Sequence, residues 1–394
     1  MGGRKVVGNG RLVTPAGVIE DGLLVIEGSK IAYAGPAASA GDALRGGTVV
    51  EEWDAQGGYI CPGFIDGHVH GGGGADAMDA SAQALVRMAR AHAAHGTTAL
   101  LATTMSAPHE QLLEVAHVVR RVQGTATGGA RVLGLHLEGP YINPERAGAH
   151  NPVWLRPPSA AELAQLAAVA GPAFRTVTLA PELPGAEAAI RWLVERQVSV
   201  SLGHTAATYE QALAAVDAGA RAATHLFNAM TGLHHRAPGC AGAVLADARV
   251  RVELIADGVH VHPGALRLAY QCKGAAGVML VTDCMRALGC PDGEYTLGDL
   301  PVVVRDGQAR LRDNPAALAG SLLTMDQAVR VMVQEVGVPL ADAVRMASLT
   351  PAEALGLAHR LGQLAAGFDA DVVVLDEALT TVMTIVAGEV VFKR

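Results

Sequence analysis

The sequence lacks the features that mark secreted proteins, membrane-spanning proteins and cysteine-based metal sites. Its five cysteines are odd in number and contain no C-x-x-C pair, so neither a disulfide framework nor a cysteine zinc site is indicated. The N-terminal residues carry no continuous apolar stretch behind their basic side chains, and no apolar run elsewhere is long enough to cross a bilayer. We therefore predict a cytoplasmic protein with reduced thiols and no membrane partner.

Charged residues are scarce as well. Asp, Glu, Lys and Arg make up 17% of the 394 residues, and the formal net charge is −8. Because there is no basic excess, the sequence gives no electrostatic reason to expect a nucleic acid as partner, although a few local cations or N–H groups suffice for a small anion. Hydrophobic residues make up 50% of the chain, which is typical of a large buried core.

Both ends of the chain have the pattern of short β-strands. The runs DGLLVIEGSKIAYAG near the start and LTTVMTIVAGEVVF near the end place alternating apolar residues between glycines. The middle of the chain has a different pattern. We therefore predict a small β-sandwich domain built from residues 1–58 and 355–394, and a separate larger domain over residues 59–354.

The middle of the chain repeats one sequence pattern. Eight short apolar runs end in polar residues, at 59–66, 98–104, 132–138, 176–182, 198–204, 222–228, 251–257 and 278–283. Between most of them lie helical patterns, such as the apolar spacing of residues 107–123 and the capping boxes that begin at Ser159 and Thr208. Eight such units predict an α/β fold of the TIM-barrel type, (β/α)8. An open doubly wound sheet is the alternative, but no G-x-G-x-x-G fingerprint follows the first run.

Metal-competent side chains lie at or near the ends of several of these runs. In a barrel the carboxyl ends of the strands converge on one face, and residues two apart on a strand point the same way. Imidazoles and carboxylates with an open position suit zinc or a similar divalent ion of a hydrolase. The candidate ligands are His68, His70, Glu138, His204, His225 and Asp283.

Lysine is almost absent, and this narrows the type of metal site. The four lysines are Lys5, Lys30, Lys273 and Lys393, and none lies at the end of a predicted strand. A two-metal site bridged by a modified lysine is therefore disfavoured, and Glu138 is the candidate bridging carboxylate.

Longer motifs point to one family. The segments HLEGPYINPERAGAHNP (136–152), SLGHTAAT (201–208), THLFNAM (224–230) and ADGVHVHP (256–263) resemble the N-acetylglucosamine-6-phosphate deacetylases of the amidohydrolase superfamily. The resemblance runs in order over nearly the whole chain and includes HRAPG, LVTD, LAGS and the C-terminal LGQLAAGFDADVVVLD. It departs from the family at DCMRALG after Asp283, where the family usually has smaller residues.

The resemblance implies a metal-dependent deacetylase. Glu138, His204 and His225 would hold the principal ion, and His68 and His70 with Asp283 would hold a second one. The ion is expected to be zinc, with iron, manganese, cobalt and nickel as alternatives, and one or two ions per subunit are possible. An ion lowers the pKa of a bound water from 15.7 to about 7, which supplies a hydroxide nucleophile.

The resemblance also implies roles around the substrate, N-acetyl-D-glucosamine 6-phosphate. Asp283 would be the general base and acid, and His150 would contact the acetyl carbonyl. Arg236 would reach into the site of a neighbouring subunit, which implies a homodimer. The full set of implied substrate-binding residues is Ala149, His150, Asn228, Ala229, Arg236, Asp257, His260, Leu318, Ala319 and Gly320.

Three rival functions stay open from the residues alone. The C4 epimer, N-acetylgalactosamine 6-phosphate, is a possible substrate because one sequence does not settle the orientation of one hydroxyl. A metal-dependent deaminase or cyclic amidohydrolase shares the H-x-H pair and the aspartate of the last strand. The motifs HLEGP and HLFNAM disfavour the deaminase, and the lack of a lysine at the end of the fourth strand disfavours the cyclic amidohydrolase. A barrel that only binds a ligand would be expected to have lost some of the six metal-competent residues.

Overall fold

The computed structural model describes residues 3–45 and 47–394, and its centre is a barrel of eight parallel strands. The predicted barrel is confirmed, because each of the eight apolar runs contributes a strand and the parallel pairing runs unbroken from the first to the eighth. The sixth strand is shorter than predicted, so His225 lies beyond its end. The barrel strands are Phe64–Val69, Thr97–Thr103, Arg131–Glu138, Phe174–Leu179, Ser199–Leu202, Ala222–Ala223, Arg251–Ile255 and Val278–Val281.

A buried carboxylate joins the first and eighth barrel strands. Asp66 accepts hydrogen bonds from the backbone N of Thr282 at 3.3 Å and from its hydroxyl at 2.6 Å. The backbone N of Asp283 donates to the carbonyl of His68 at 2.8 Å. These contacts bring the end of strand 1, where the H-x-H pair lies, against the aspartate at the end of strand 8.

The helices that follow the barrel strands pack around the barrel with their apolar faces inward. The side chains of Ser159 and Thr208 cap the helices that follow them, as the sequence predicted, and Thr208 forms a reciprocal capping box with Gln211. The α-helices are Gly41–Arg45, Ala82–Ala93, His109–Val122, Ala160–Ala170, Ala186–Val194, Tyr209–Ala218, Gly239–Ala246, Pro263–Gly277, Met325–Gln334, Leu340–Ala347 and Leu349–Ala354. Within the described residues no helix is both long and apolar enough to span a bilayer.

Both ends of the chain meet in one eight-stranded sheet, the terminal sheet, which encloses its own apolar core. Its strands are Arg4–Thr14, Gly17–Glu27, Lys30–Pro36, Val49–Asp54, Tyr59–Pro62, Val372–Leu375, Thr381–Val386 and Glu389–Lys393. The run predicted at 59–66 thus divides between two sheets, because Tyr59–Pro62 pairs with Val372–Leu375 and the chain enters the barrel only at Phe64. The proposed domain limits at 58/59 and 354/355 remain a prediction.

The sequence did not predict two smaller sheets. Gly71–Gly72 and Ala75–Asp76 form a hairpin directly after the H-x-H pair. After barrel strand 8, an antiparallel sheet of four strands, the insert sheet, consists of Gly293–Leu297, Leu300–Arg305, Gln308–Leu311 and Asn314–Leu318. The insert sheet matters for function because its last strand reaches the cavity at the carboxyl end of the barrel.

Candidate metal centre and substrate cavity

The six predicted metal ligands lie together at the carboxyl end of the barrel, beside a cavity of about 360 Å³. Glu138 is at their centre and is almost fully buried. Its Oε1 atom lies 3.2 Å from Nε2 of His204 and 3.1 Å from Nε2 of His225. Its Oε2 atom lies 3.3 Å from Nε2 of His68 and 3.1 Å from Nε2 of His70. One carboxylate therefore faces two pairs of imidazoles, as a bridging ligand would.

Asp283 completes the second pair. Its Oδ1 atom lies 3.1 Å from Nε2 of His70 and 3.5 Å from Nε2 of His68. The backbone of Asp283, His204 and His225 has positive φ angles of 50°, 47° and 30°, a conformation that L-residues rarely adopt. Such conformations cost about 1–3 kcal/mol each and cluster at active sites.

The hydrogen bonds of the imidazoles determine which ring nitrogen carries the proton. Nδ1 of His204 lies 2.8 Å from the carbonyl oxygen of Arg146, and Nδ1 of His70 lies 3.3 Å from that of Thr103. Nδ1 of His68 lies 3.0 Å from a carboxylate oxygen of Glu253. Since these oxygens only accept, the three Nδ1 atoms must donate. In the neutral rings each Nε2 lone pair points toward Glu138, and those of His68 and His70 also point toward Asp283.

These lone pairs and anions fit a divalent cation. The Nε2 atoms of His204 and His225 face each other at 3.0 Å, and those of His68 and His70 at 3.3 Å, distances at which two unprotonated nitrogens repel unless a positive charge lies near them. Imidazole nitrogens and carboxylate oxygens are the donors that zinc and related ions take from proteins. Glu138, His204 and His225 would hold one ion, and His68, His70 and Asp283 a second.

The pKa values of the cluster also indicate that it is stabilised by positive charge. Burial opposes ionisation of Glu138 and Asp283, but His68 and the neighbouring imidazoles outweigh it and hold both carboxyl pKa values below their usual range. Burial likewise opposes protonation of His70, yet its hydrogen bonds to Asp283 and Glu138 raise its pKa to about 9. A bound divalent ion would supply the charge that protons otherwise provide.

His150 has the opposite tautomer and a different position. The backbone N of Ser106 donates to its Nδ1 atom at 3.0 Å, so the hydrogen of the neutral ring must be on Nε2. That Nε2 atom lies 3.5 Å from Oε2 of Glu138, and His150 lines the cavity. Burial lowers the pKa of His150 to about 4, so the ring is neutral at physiological pH. It therefore presents a hydrogen-bond donor, rather than a lone pair, to the cluster and the cavity.

Most of the predicted substrate residues line the cavity, and three do not. Asp257 instead holds His260, whose Nδ1 atom lies 2.6 Å from its carboxylate. Ala319 is buried behind the lining, and Arg236 lies on an exposed loop, where its guanidinium contacts the ring of His235 at 2.7 Å. The predicted residues that line the cavity are Ala149, His150, Asn228, Ala229, His260, Leu318 and Gly320.

Several lining residues were missed by the sequence analysis. Arg146 lies inside the quoted HLEGP segment, two residues before Gly148, and a cation at that point of a motif could have been noted. Leu297 and Ala316 come from the insert sheet, and no pattern in the sequence indicated that this sheet folds over the barrel.

Comparisons with known proteins identify the family of the chain. A profile of the Amidohydrolase family matches residues 59–391. The chain is 45% identical over 373 residues to the N-acetylgalactosamine-6-phosphate deacetylase of Escherichia coli O157:H7, with 94% of each chain covered. It is 42% identical over 341 residues to the N-acetylglucosamine-6-phosphate deacetylase of Lysinibacillus sphaericus, with 86% of this chain and 87% of that relative covered.

A solved structure gives the same result. The N-acetyl-D-glucosamine-6-phosphate deacetylase of Mycobacterium smegmatis, as a mutant in complex with N-acetyl-D-glucosamine-6-phosphate, matches the fold with a TM-score of 0.92 at 38% identity, over 100% of both chains. The chain therefore belongs to the amidohydrolase family, in its branch of hexosamine-phosphate deacetylases.

Proposed function

We propose that this protein hydrolyses the acetamide of N-acetyl-D-glucosamine 6-phosphate to D-glucosamine 6-phosphate and acetate. The observation that carries the proposal is the convergence of four imidazole Nε2 atoms on Glu138 and Asp283, next to a cavity into which the donor of His150 points. An unstrained amide needs an activated nucleophile, stabilisation of the carbonyl oxygen and a proton for the leaving amine. Each requirement has a matching group in this cavity.

The roles of the side chains follow from their positions. A divalent ion bound here would act as a Lewis acid and raise the acidity of water. Asp283, at the edge of the cavity, would accept a proton from the attacking water and deliver it to the departing amine nitrogen. His150 would donate its Nε2 hydrogen to the acetyl oxygen as negative charge develops there, and one such donor contributes about 3–4 kcal/mol.

The metal in the proposal is zinc, with one or two ions per subunit and iron, manganese, cobalt or nickel as alternatives. Two groups of buried ligand atoms support two ions, one formed by Glu138 with His204 and His225 and one formed by His68, His70 and Asp283. Metal analysis of the purified protein tests both the identity and the number of ions. A protein whose activity is unaffected by removal of all divalent ions would contradict this part of the proposal.

The C4 epimer, N-acetylgalactosamine 6-phosphate, is the second candidate substrate. The relative from Escherichia coli O157:H7 is named for N-acetylgalactosamine 6-phosphate and is more similar to this chain than the Lysinibacillus relative is. Acetate release from both sugar phosphates, compared as kcat/KM, distinguishes the two. Ammonia release from heterocyclic substrates without acetate release from either sugar would instead favour the deaminase alternative.

We propose that Arg236 binds the phosphate group of the substrate, and that each site receives this arginine from the partner subunit of a homodimer. Arg236 is exposed, and none of the acidic side chains of the described residues forms an ion pair with it. Apolar side chains on loops that follow barrel strands, at the same end as the cavity, are also exposed, namely Val153 at 69%, Leu233 at 56% and Val259 at 45%. A second copy of the chain covering this end would bury them and bring its guanidinium to the cavity.

A subunit-mixing experiment tests this arrangement. Arg236→Met should lower kcat/KM for the phosphorylated sugar by orders of magnitude, spare unphosphorylated N-acetylglucosamine and leave the metal content unchanged. Mixed dimers of Arg236→Met and Asp283→Asn subunits should regain activity, because one of their two sites then has Asp283 and a partner's arginine. If Arg236 acts within its own subunit, or if the protein is a monomer, mixing restores nothing.

The proposed location is the cytoplasm. All five cysteines are free thiols, as in most proteins of reducing compartments.

A further inference from the structure

Glu253 is a buried acidic residue in the interior of a barrel strand, where its neighbours on both sides are apolar. It lies in Arg251–Ile255, between Val252 and Leu254, and only 3% of its surface is exposed. Its Oε2 atom lies 3.0 Å from Nδ1 of His68 and 3.3 Å from the backbone N of His225. Burying a carboxylate is costly unless it is hydrogen-bonded, and both of these bonds go to candidate metal ligands.

Glu253 could itself be a metal ligand, since ligand atoms of His68, His136 and Glu253 lie within 4.8 Å of one another. The hydrogen bonds argue against that. Nδ1 of His136 lies 3.1 Å from the carbonyl oxygen of Gly67, and its Nε2 atom lies 2.7 Å from the hydroxyl of Thr178. Both nitrogens of His136 are thus occupied, while Nδ1 of His68 must carry the hydrogen that it shares with Glu253.

We propose that Glu253 is a positioning residue that keeps the Nε2 lone pair of His68 turned toward the second ion and so sets the affinity of that ion. A carboxylate that accepts the Nδ1 hydrogen of a ligating histidine fixes its tautomer and ring orientation and makes the other nitrogen a stronger donor. The inference rests on the proposed function only in assuming an ion at His68, His70 and Asp283. Loss of such an outer partner typically costs about 10–100-fold in metal affinity.

The test is a metal titration of the full-length protein. The apoprotein, prepared with a chelator, is titrated with Zn²⁺, and the affinities of the two sites are measured for the wild type and for Glu253→Gln and Glu253→Leu. Glu253→Gln keeps an oxygen of similar shape and removes the charge, whereas Glu253→Leu removes the acceptor. We expect the second site, formed by His68, His70 and Asp283, to lose about 10–100-fold in affinity, more in Glu253→Leu, while the principal site keeps its affinity.

Asp326→Asn is the matched control. Asp326 is a buried carboxylate with three hydrogen bonds, to Thr324, to the backbone N of Gln327 and to that of Thr381, and none of these partners is a candidate ligand. This variant should bind two ions like the wild type. If it loses the second ion as Glu253→Gln does, the effect is general destabilisation and the inference is wrong.

A double-variant cycle distinguishes an effect that acts through His68 from general destabilisation. With the His68→Ala ring already removed, adding Glu253→Gln should weaken the second site no further, because Glu253 acts through that ring. An additive loss in the cycle, equal loss at both sites or wild-type affinity in Glu253→Leu would each overturn the inference. A wild-type protein that binds a single ion would also overturn the inference. If that protein still releases acetate, the proposed reaction stands.

Discussion

His150 and His204 both face Glu138, yet their hydrogen bonds predict opposite consequences of substitution. Nε2 of His204 lies 3.2 Å from Oε1 of Glu138 and should carry a lone pair, because Nδ1 donates to the carbonyl of Arg146. Nε2 of His150 lies 3.5 Å from Oε2 and should carry a hydrogen, because Nδ1 accepts from the backbone N of Ser106. We therefore expect His204→Asn to lose the principal ion and His150→Asn to keep it.

The magnitude for His150 follows from its role as a donor. Removing one donor to a developing oxyanion lowers kcat by about 10²–10³-fold, equivalent to about 2.7–4 kcal/mol of activation free energy. Because burial lowers the pKa of His150 to about 4, the ring remains a neutral donor from pH 5 to pH 8. The loss of kcat in His150→Asn should therefore be the same across that range.

The assay combines two measurements on each variant, the number of metal ions per subunit after dialysis and kcat for acetate release at saturating substrate. His150→Asn should be slow with a full complement of ions. His204→Asn should be slow because ions are missing, and excess Zn²⁺ should partly restore it. If His150→Asn loses ions to the same extent as His204→Asn, the tautomer assignment is wrong and His150 is a ligand.

Three further predictions concern other parts of the molecule. Asp283→Asn should keep the principal ion and lower kcat by at least about 10²–10⁴-fold, the usual contribution of a general acid–base group, and substantial residual deacetylation would contradict its role. The pKa of buried His92 is lowered to about 4, so the unfolded chain binds an extra proton between pH 4 and 6.5 and stability rises with pH in that window. Moving from pH 7 to pH 5 should therefore cost the wild type about 2 kcal/mol more than His92→Gln, as measured by urea unfolding at both pH values. Arg131 forms ion pairs with Asp369 at 2.6 Å and Asp371 at 2.5 Å, and these join the barrel to the terminal sheet. Arg131→Met should therefore lower the free energy of unfolding by about 3 kcal/mol, and an unchanged denaturation midpoint would refute this.

Part of the site could be predicted from the sequence because it depends on strand periodicity. His68 and His70 are two residues apart, so they share one side of the chain, and their Nε2 atoms indeed lie 3.3 Å apart. Glu138 ends a buried strand in a region where parallel strands converge, which is why a carboxylate could be expected there. Periodicity failed for the run 59–66, because an apolar run does not reveal which of two sheets it pairs with.

Other features depend on contacts between residues far apart in the chain. The tautomers of His68 and His150 follow from Glu253 and Ser106, which lie 185 and 44 residues away in the sequence. Glu253 itself leaves a faint signal, an acidic residue between Val252 and Leu254, that could have been read as a buried functional group. The contribution of Leu297 to the cavity has no such signal.

The sequence by itself determined the repeated strand and helix pattern and the chemical types of the ligands, because apolar spacing and residue identity are local properties. Only the tertiary structure decided which nitrogen each histidine turns toward the cluster, which sheet receives Tyr59–Pro62 and how the insert sheet completes the cavity. The physical reason is that hydrogen-bond partners and sheet edges are supplied by distant segments, and their geometry exists only after the barrel has brought those segments together.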